Sequence, residues 1–114
     1  MNLLVISLSL FIIAVTLGLY LVYLGLHKRN RSPGLGLVHA GSALAGVIVL
    51  FTLIYTGPAD KLTNVAALFF IFAIIGGGMV FALHEENKPP SMAAVTVHAV
   101  MGLIGISTLI FNLF

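Results

Sequence analysis

The stretch LGLVHAGSALAGVIVLFTLIY, residues 35–55, decides the fold of this chain. It contains no Asp, Glu, Lys or Arg, and its one strongly titratable side chain is His39. A helix needs about 20 predominantly apolar residues to cross the hydrocarbon core of a bilayer. We therefore expect this stretch to form a membrane-spanning helix that carries a histidine inside it.

Three further apolar runs without acidic or basic residues flank this stretch, at residues 3–26, 62–83 and 92–114. Membrane β-strands are shorter and alternate apolar with polar residues, which these runs do not. Inside a bilayer the backbone polar groups must be satisfied within the segment, as they are in a helix. The sequence predicts an all-α integral membrane protein, a four-helix antiparallel bundle in one domain over residues 1–114.

The composition excludes several classes of protein. Apolar residues make up 61% of the 114 residues and charged residues 7%, whereas soluble chains have about 45–50% and about 25%. A soluble enzyme, a nucleic-acid-binding protein and a disordered chain are therefore excluded. The absence of cysteine excludes disulfides, zinc–thiolate sites, iron–sulfur clusters and a thiol nucleophile.

The basic residues predict the orientation in the membrane. The loops after the first and third helices share one side and hold Lys28, Arg29, Arg31 and Lys88, whereas the other side holds Lys61. The positive-inside rule places the first side in the cytoplasm and both termini outside, as in a bacterial inner membrane protein. The first apolar run is too long for a signal-peptide core, so we expect it in the mature protein.

The two halves of the chain, residues 1–56 and 57–114, indicate a duplicated helical hairpin. Leu26-His27 matches Leu83-His84, and Val38-His39-Ala40 matches Val97-His98-Ala99. Gly46 and Gly105 follow the inner histidines at the same distance. All four histidines of the protein thus occupy matching places, on the half of the membrane nearer the basic loops.

Ionisable residues inside membrane helices usually face the interior and mark a functional site. Neutral imidazole is a good ligand for metals and haem iron. The spacing permits one haem with two axial histidines, two haems, or a histidine metal site. Small residues after the inner histidines leave room for a flat macrocycle, and three consecutive glycines in the third helix predict a close approach. These residues are Ser42, Ala43, Gly46, Gly102 and Gly105, with Gly76-Gly77-Gly78.

With His27, His39, His84 and His98 as its buried or interfacial titratable groups, the four-helix layout resembles the small intramembrane b-type cytochromes. The resemblance implies haem b held by bis-histidine ligation and one-electron transfer with quinol or quinone, as in a quinone-linked oxidoreductase. Two haems are favoured, because each half brings two ligands, and one haem on His39 and His98 is the alternative. Basic residues near His27, among them Arg29 and Arg31, are candidates for pairing with the propionates.

Two other classes stay open. Copper or another soft metal ion is handled by imidazole and thioether ligands, which His39, His98, Met79, Met92 and Met101 could supply. A membrane anchor that binds haem or quinone for a soluble partner is the second alternative. A four-helix multidrug transporter is disfavoured, because the first helix lacks the acid such transporters use. Expected partners are membrane lipid, quinone, and a second copy or a soluble redox protein.

Overall fold

The computed structural model describes residues 2–27, 29, 33–57, 60–83 and 90–114. This part of the chain is all-α, which confirms the predicted class, and its four helices are each long and apolar enough to cross a membrane. Their bounds lie within two residues of the predicted spans. They are α1 (Leu3–Leu26), α2 (Pro33–Thr56), α3 (Lys61–Ala82) and α4 (Met92–Leu113).

Side-chain caps start three of the helices. The Leu4 N–H donates to Asn2 Oδ1 at 2.9 Å, and the Ala94 N–H donates to Ser91 Oγ at 3.4 Å. Asp60 caps α3 in the same way. Pro33 is the first residue of α2, where its missing N–H costs nothing. Ser32, the expected cap of α2, lies outside the described residues.

The helices pack mainly as two neighbouring pairs, α1 with α2 and α3 with α4. Contacts of α2 with α3 and of α1 with α4 join the pairs and are much less extensive. At the centre the rings of Phe11 from α1 and Phe70 from α3 stack with their centroids 3.7 Å apart. The surrounding core consists of small and aliphatic side chains: Leu8, Leu50, Ala66, Ala67, Ile106 and Leu109.

Each central phenylalanine lies against a glycine of the neighbouring helix. A Cβ atom added to Gly46 would come within 2.9 Å of the Phe11 ring, and one added to Gly105 within 2.8 Å of the Phe70 ring. Helices in lipid associate through van der Waals packing rather than hydrophobic burial, and small residues permit the required approach. These two glycines therefore fix how closely each pair of helices packs.

The outer surface is apolar, as lipid contact requires. Phe81 and Phe111 are 86% and 76% exposed. The hydroxyls of outward threonines donate to the carbonyl four residues earlier, for example Thr16 to Ile12 and Thr108 to Ile104, both at 2.8 Å. These bonds satisfy the hydroxyls without water, which a bilayer interior does not supply.

A polar network ties the start of α3 to the end of α4. Asp60 Oδ1 accepts from the Thr63 N–H and hydroxyl, both at 2.9 Å, and from the Asn112 amide at 3.2 Å. These bonds, the Thr63 N–H first, hold the pKa of Asp60 below its ordinary value of 3.8, because they favour the carboxylate. The network therefore joins α3 and α4 at the ends away from their own connection, on the side opposite His27.

We expect Gly105→Ala to destabilise the protein and Gly102→Ala to leave it unchanged or slightly more stable. A methyl group at position 105 collides with the Phe70 ring, which the stack on Phe11 holds in place, whereas one at position 102 meets nothing within 4 Å. Overpacking costs about 1–3 kcal/mol. Thermal unfolding in detergent measures both variants; equal melting temperatures would contradict the packing described.

Asp60→Asn should reduce the loss of stability at acid pH. With its pKa lowered on folding, the carboxylate of Asp60 stabilises the protein fully above pH 3.8. That stabilisation is lost as the pH falls from 3.8 through the lower pKa of the folded state. Asparagine still caps the helix but does not titrate. Melting temperatures recorded from pH 6 down to strongly acidic pH should show a shallower decline in the variant; parallel curves would exclude Asp60 as the cause.

Candidate functional site

The two inner histidines, one from each pair of helices, lie close together nearer one end of the helices. His39 of α2 and His98 of α4 are half-buried, and their ring centroids lie 6.0 Å apart with the planes at 83°. Each follows the first residue of its helix by six positions, roughly 9 Å at the helical rise. The two histidines therefore lie at the same depth from the start of their helices.

The same hydrogen bond orients both rings. His39 Nδ1 lies 2.7 Å from the Ala14 carbonyl oxygen, and His98 Nδ1 lies 2.6 Å from the Ala73 carbonyl oxygen. A carbonyl only accepts, so Nδ1 carries the hydrogen and donates it. In a neutral ring Nε2 is then left with its lone pair. Histidines that ligate metals characteristically hold their second nitrogen in this way.

Glycines of the neighbouring helices α1 and α3 leave space for the two histidine rings. A Cβ atom at Gly18 would lie 2.9 Å from the His39 ring, and one at Gly77 would lie 2.8 Å from the His98 ring. A Cβ atom at the neighbouring Gly76 would lie 3.5 Å from the His98 Cα atom of α4, whereas one at Gly78 would meet nothing within 4 Å. The close approach predicted from the glycine triplet is thus found at its first two members.

These contacts recur at one spacing along the chain. Each of the five residues of α1 and α2 that form these contacts has its counterpart 59 positions later, in α3 or α4. The corresponding pairs are Phe11 and Phe70, Ala14 and Ala73, Gly18 and Gly77, His39 and His98, and Gly46 and Gly105. The phenylalanine and histidine rings that meet at the centre therefore come from corresponding positions.

Sequence reasoning singled out the histidines but missed the residues that hold them. Ala14, Gly18 and Phe11 look ordinary in an apolar run, and so do their counterparts in α3. The spacing of His39 and His98, applied to α1 and α3, would have found them. By this spacing position 27 corresponds to position 86, so His27 and His84 match less closely than the inner pair.

The other predicted site residues lie elsewhere. His27 is exposed at the end of α1, with its ring centroid 4.2 Å from that of Tyr23, and Arg29 is also exposed. Among the described residues no group of three or more His, Asp or Glu side chains could hold a metal ion. His27 therefore does not join the inner pair. His84 and Arg31 lie outside the described residues, and their roles remain predictions.

Residues one helical turn from the two histidines are glycines beside open space or half-buried side chains. Gly36, one turn before His39, and Gly102, one turn after His98, are half-buried, and a Cβ atom at either would meet nothing within 4 Å. Ser42 and Met101 occupy corresponding positions one turn after the two histidines and are also half-buried. Open space at two glycines, a hydroxyl and a thioether thus lie within one helical turn of the histidines along α2 and α4.

Comparison with known proteins adds nothing to this geometry: no protein-family model, no curated protein and no solved structure matches the chain. The histidine pair is thus defined by its own contacts. Two imidazoles from separate helices face one region, and each is oriented by a main-chain carbonyl.

We expect Gly77→Ala to displace the His98 ring and the adjacent Gly78→Ala to leave it in place. The methyl group at position 77 would overlap the ring and break its bond to Ala73, at a cost of about 1–3 kcal/mol. The two variants gain the same helix propensity, so only the contact differs. Nitrogen chemical shifts of the His98 ring report the bond; an unchanged Nδ1 signal in Gly77→Ala would contradict this assignment.

Proposed function

We propose that this protein is an intramembrane b-type haem protein that performs one-electron transfer, with His39 and His98 as the two axial ligands of a single haem. The observation that carries the proposal is the matched histidine pair. Both rings donate Nδ1–H to a main-chain carbonyl, at 2.7 Å and 2.6 Å, and their centroids lie 6.0 Å apart.

The distance between the rings supports ligation of one metal centre. An imidazole nitrogen lies ~2.1 Å from a bound metal ion, so two imidazoles on opposite sides of one metal have centroids roughly 6 Å apart. The rings of His39 and His98 are 6.0 Å apart. The open space beside Gly36 and Gly102 suits a flat macrocycle better than close-packed side chains would.

The protein's own groups would set the properties of the site. The carbonyls of Ala14 and Ala73 fix the ring orientation and the tautomer that leaves Nε2 free to act as a ligand. The half-buried setting limits access of water to the rings. When bound, haem supplies the one-electron chemistry, and burial and ligand hydrogen bonds adjust its reduction potential.

A duplicated hairpin arranged as a four-helix bundle is part of this proposal. Its support is the recurrence of the histidine, glycine and phenylalanine contacts 59 residues apart. In such a bundle each hairpin contributes one ligand to a shared central site. The two-haem arrangement would need His27, which lies on the outer surface, and His84. The contacts at the centre therefore favour one haem over the two that the sequence suggests.

Quinol or quinone is the proposed electron partner, in a cell membrane with both termini outside. A groove of about 510 Å³ on the outside of α3 and α4 supports a lipophilic partner. It begins at Val100, two residues after His98, and extends to Phe111, and the hydroxyls of Ser107 and Thr108 also border it. The groove and the histidine pair thus share the helix α4.

A soft metal ion such as copper is the second candidate. Met101 is half-buried one turn after His98, whereas Met79 and Met92 are 54% and 46% exposed. Of the thioethers that the sequence offers, we therefore favour Met101 as the ligand to act with the histidine pair. Two imidazoles and one thioether are a ligand set that suits copper in its reduced state.

The detergent-purified protein should give a reduced-minus-oxidised spectrum of a b-type haem, with one haem per chain. His39→Ala and His98→Ala should each lose most of the bound haem, and His27→Ala should retain it. A protein that stays colourless when expressed with adequate haem supply would contradict the proposal. Copper found by elemental analysis without a haem band would favour the second candidate, and two haems per chain would contradict the single site.

A further inference from the structure

The end of α1 carries an exposed cluster of polar and aromatic side chains that the proposed site does not use. Tyr20, Tyr23 and His27 follow one another on one helix face, with ring centroids 6.3 Å and then 4.2 Å apart. Arg29 follows directly and is exposed. Since α1 ends at Leu26, the last apolar residue of the span, this cluster lies at the level of the lipid headgroups.

The imidazole of His27 is held so that it accepts a hydrogen bond. Its Nδ1 lies 2.9 Å from the Tyr23 carbonyl oxygen, which can only accept, so Nδ1 donates there. In the neutral ring Nε2 is then an acceptor. The contact with the Tyr23 ring and this bond together fix the orientation of an exposed imidazole.

Arg29, two residues after His27, supplies hydrogen-bond donors where His27 supplies an acceptor. Its backbone N–H donates to the Leu24 carbonyl at 2.9 Å, as in the Schellman motif that ends many helices, and so turns the chain back over the end of α1. Its guanidinium makes no ion pair with the described part of the chain. A guanidinium has only donors, arranged to match a phosphate group.

We propose that His27 and Arg29 bind the headgroup of a membrane phospholipid that carries a hydrogen-bond donor, such as phosphatidylethanolamine or phosphatidylglycerol. Arg29 pairs with the phosphate, and His27 Nε2 accepts from the ammonium or glycerol hydroxyl group. Phosphatidylcholine has the same phosphate, but its trimethylated nitrogen has no hydrogen to donate. The site lies apart from the two proposed haem ligands, because neither residue contacts His39 or His98 in the described part of the chain.

The test is lipid competition on the full-length protein. Purified protein is exchanged into nanodiscs containing equal amounts of phosphatidylcholine and phosphatidylethanolamine, and the lipids retained after extraction are counted by native mass spectrometry. One hydrogen bond corresponds to a preference of about fivefold for phosphatidylethanolamine. The nitrogen shift of His27 Nε2 should differ between nanodiscs made of each lipid alone, which gives a second, direct readout.

Three variants separate a headgroup site from general attraction to a charged surface. His27→Phe keeps a flat ring on Tyr23 but has no acceptor, so it should lose the preference while still retaining lipid. Arg29→Gln should retain about fivefold less of either phospholipid. Lys61→Gln removes one positive charge at the opposite end of the helices and should change neither quantity.

Several results would overturn the proposal. An unchanged preference in His27→Phe would exclude the imidazole from the contact. An equal effect of Lys61→Gln would show attraction to net charge alone. Soluble phosphoethanolamine that shifts His27 Nε2 in phosphatidylcholine nanodiscs as strongly as the lipid does would assign the site to a soluble ligand. The haem content of the purified protein plays no part in these readouts, so either proposal can fail without the other.

Discussion

Aromatic rings lying against glycine determine the packing of these helices. In the α1–α2 pair, Phe11 of α1 lies on Gly46 of α2, and His39 of α2 lies on Gly18 of α1. Each helix therefore supplies one ring and accepts one, seven residues apart. The α3–α4 pair repeats the arrangement with Phe70, Gly105, His98 and Gly77. In lipid, where apolar burial does not drive helices together, such close fits and a few hydrogen bonds supply the association.

The polar contacts within the spans follow the same geometry. The helices approach closely enough for a side chain of one to reach a carbonyl of the other. The Ser7 hydroxyl donates to the Gly46 carbonyl at 2.9 Å, at the glycine on which Phe11 lies, and His39 donates to Ala14 one turn from Gly18. Ala66, the counterpart of Ser7, has no hydroxyl to donate. The two pairs thus share their ring contacts but differ in one buried hydrogen bond.

The sequence was sufficient to predict the helices and to place His39 and His98 within them, because length, apolarity and the absence of charge are local properties. It was insufficient for the packing. Any apolar span presents several faces of similar hydrophobicity, and nothing in the composition tells that Gly77 rather than Gly78 receives a ring. The orientation of the His27 ring could not be predicted for a related reason: an imidazole at a helix end can turn inward or outward. In the structure its hydrogen bond to the Tyr23 carbonyl holds the ring on the outer face.

The limited contact area between the two pairs of helices has a thermodynamic consequence. The pairs meet at the centre through the stacked phenylalanines and the two histidines, while most other packing lies within each pair. A ligand held jointly by His39 and His98 would bind the assembled form and not the separated pairs. By linkage, its binding free energy would then add to the free energy of association of the two helix pairs. The assembled form would become more stable as the ligand concentration rises. Ligand binding by the two histidines and association of the two helix pairs would in that case be one coupled equilibrium.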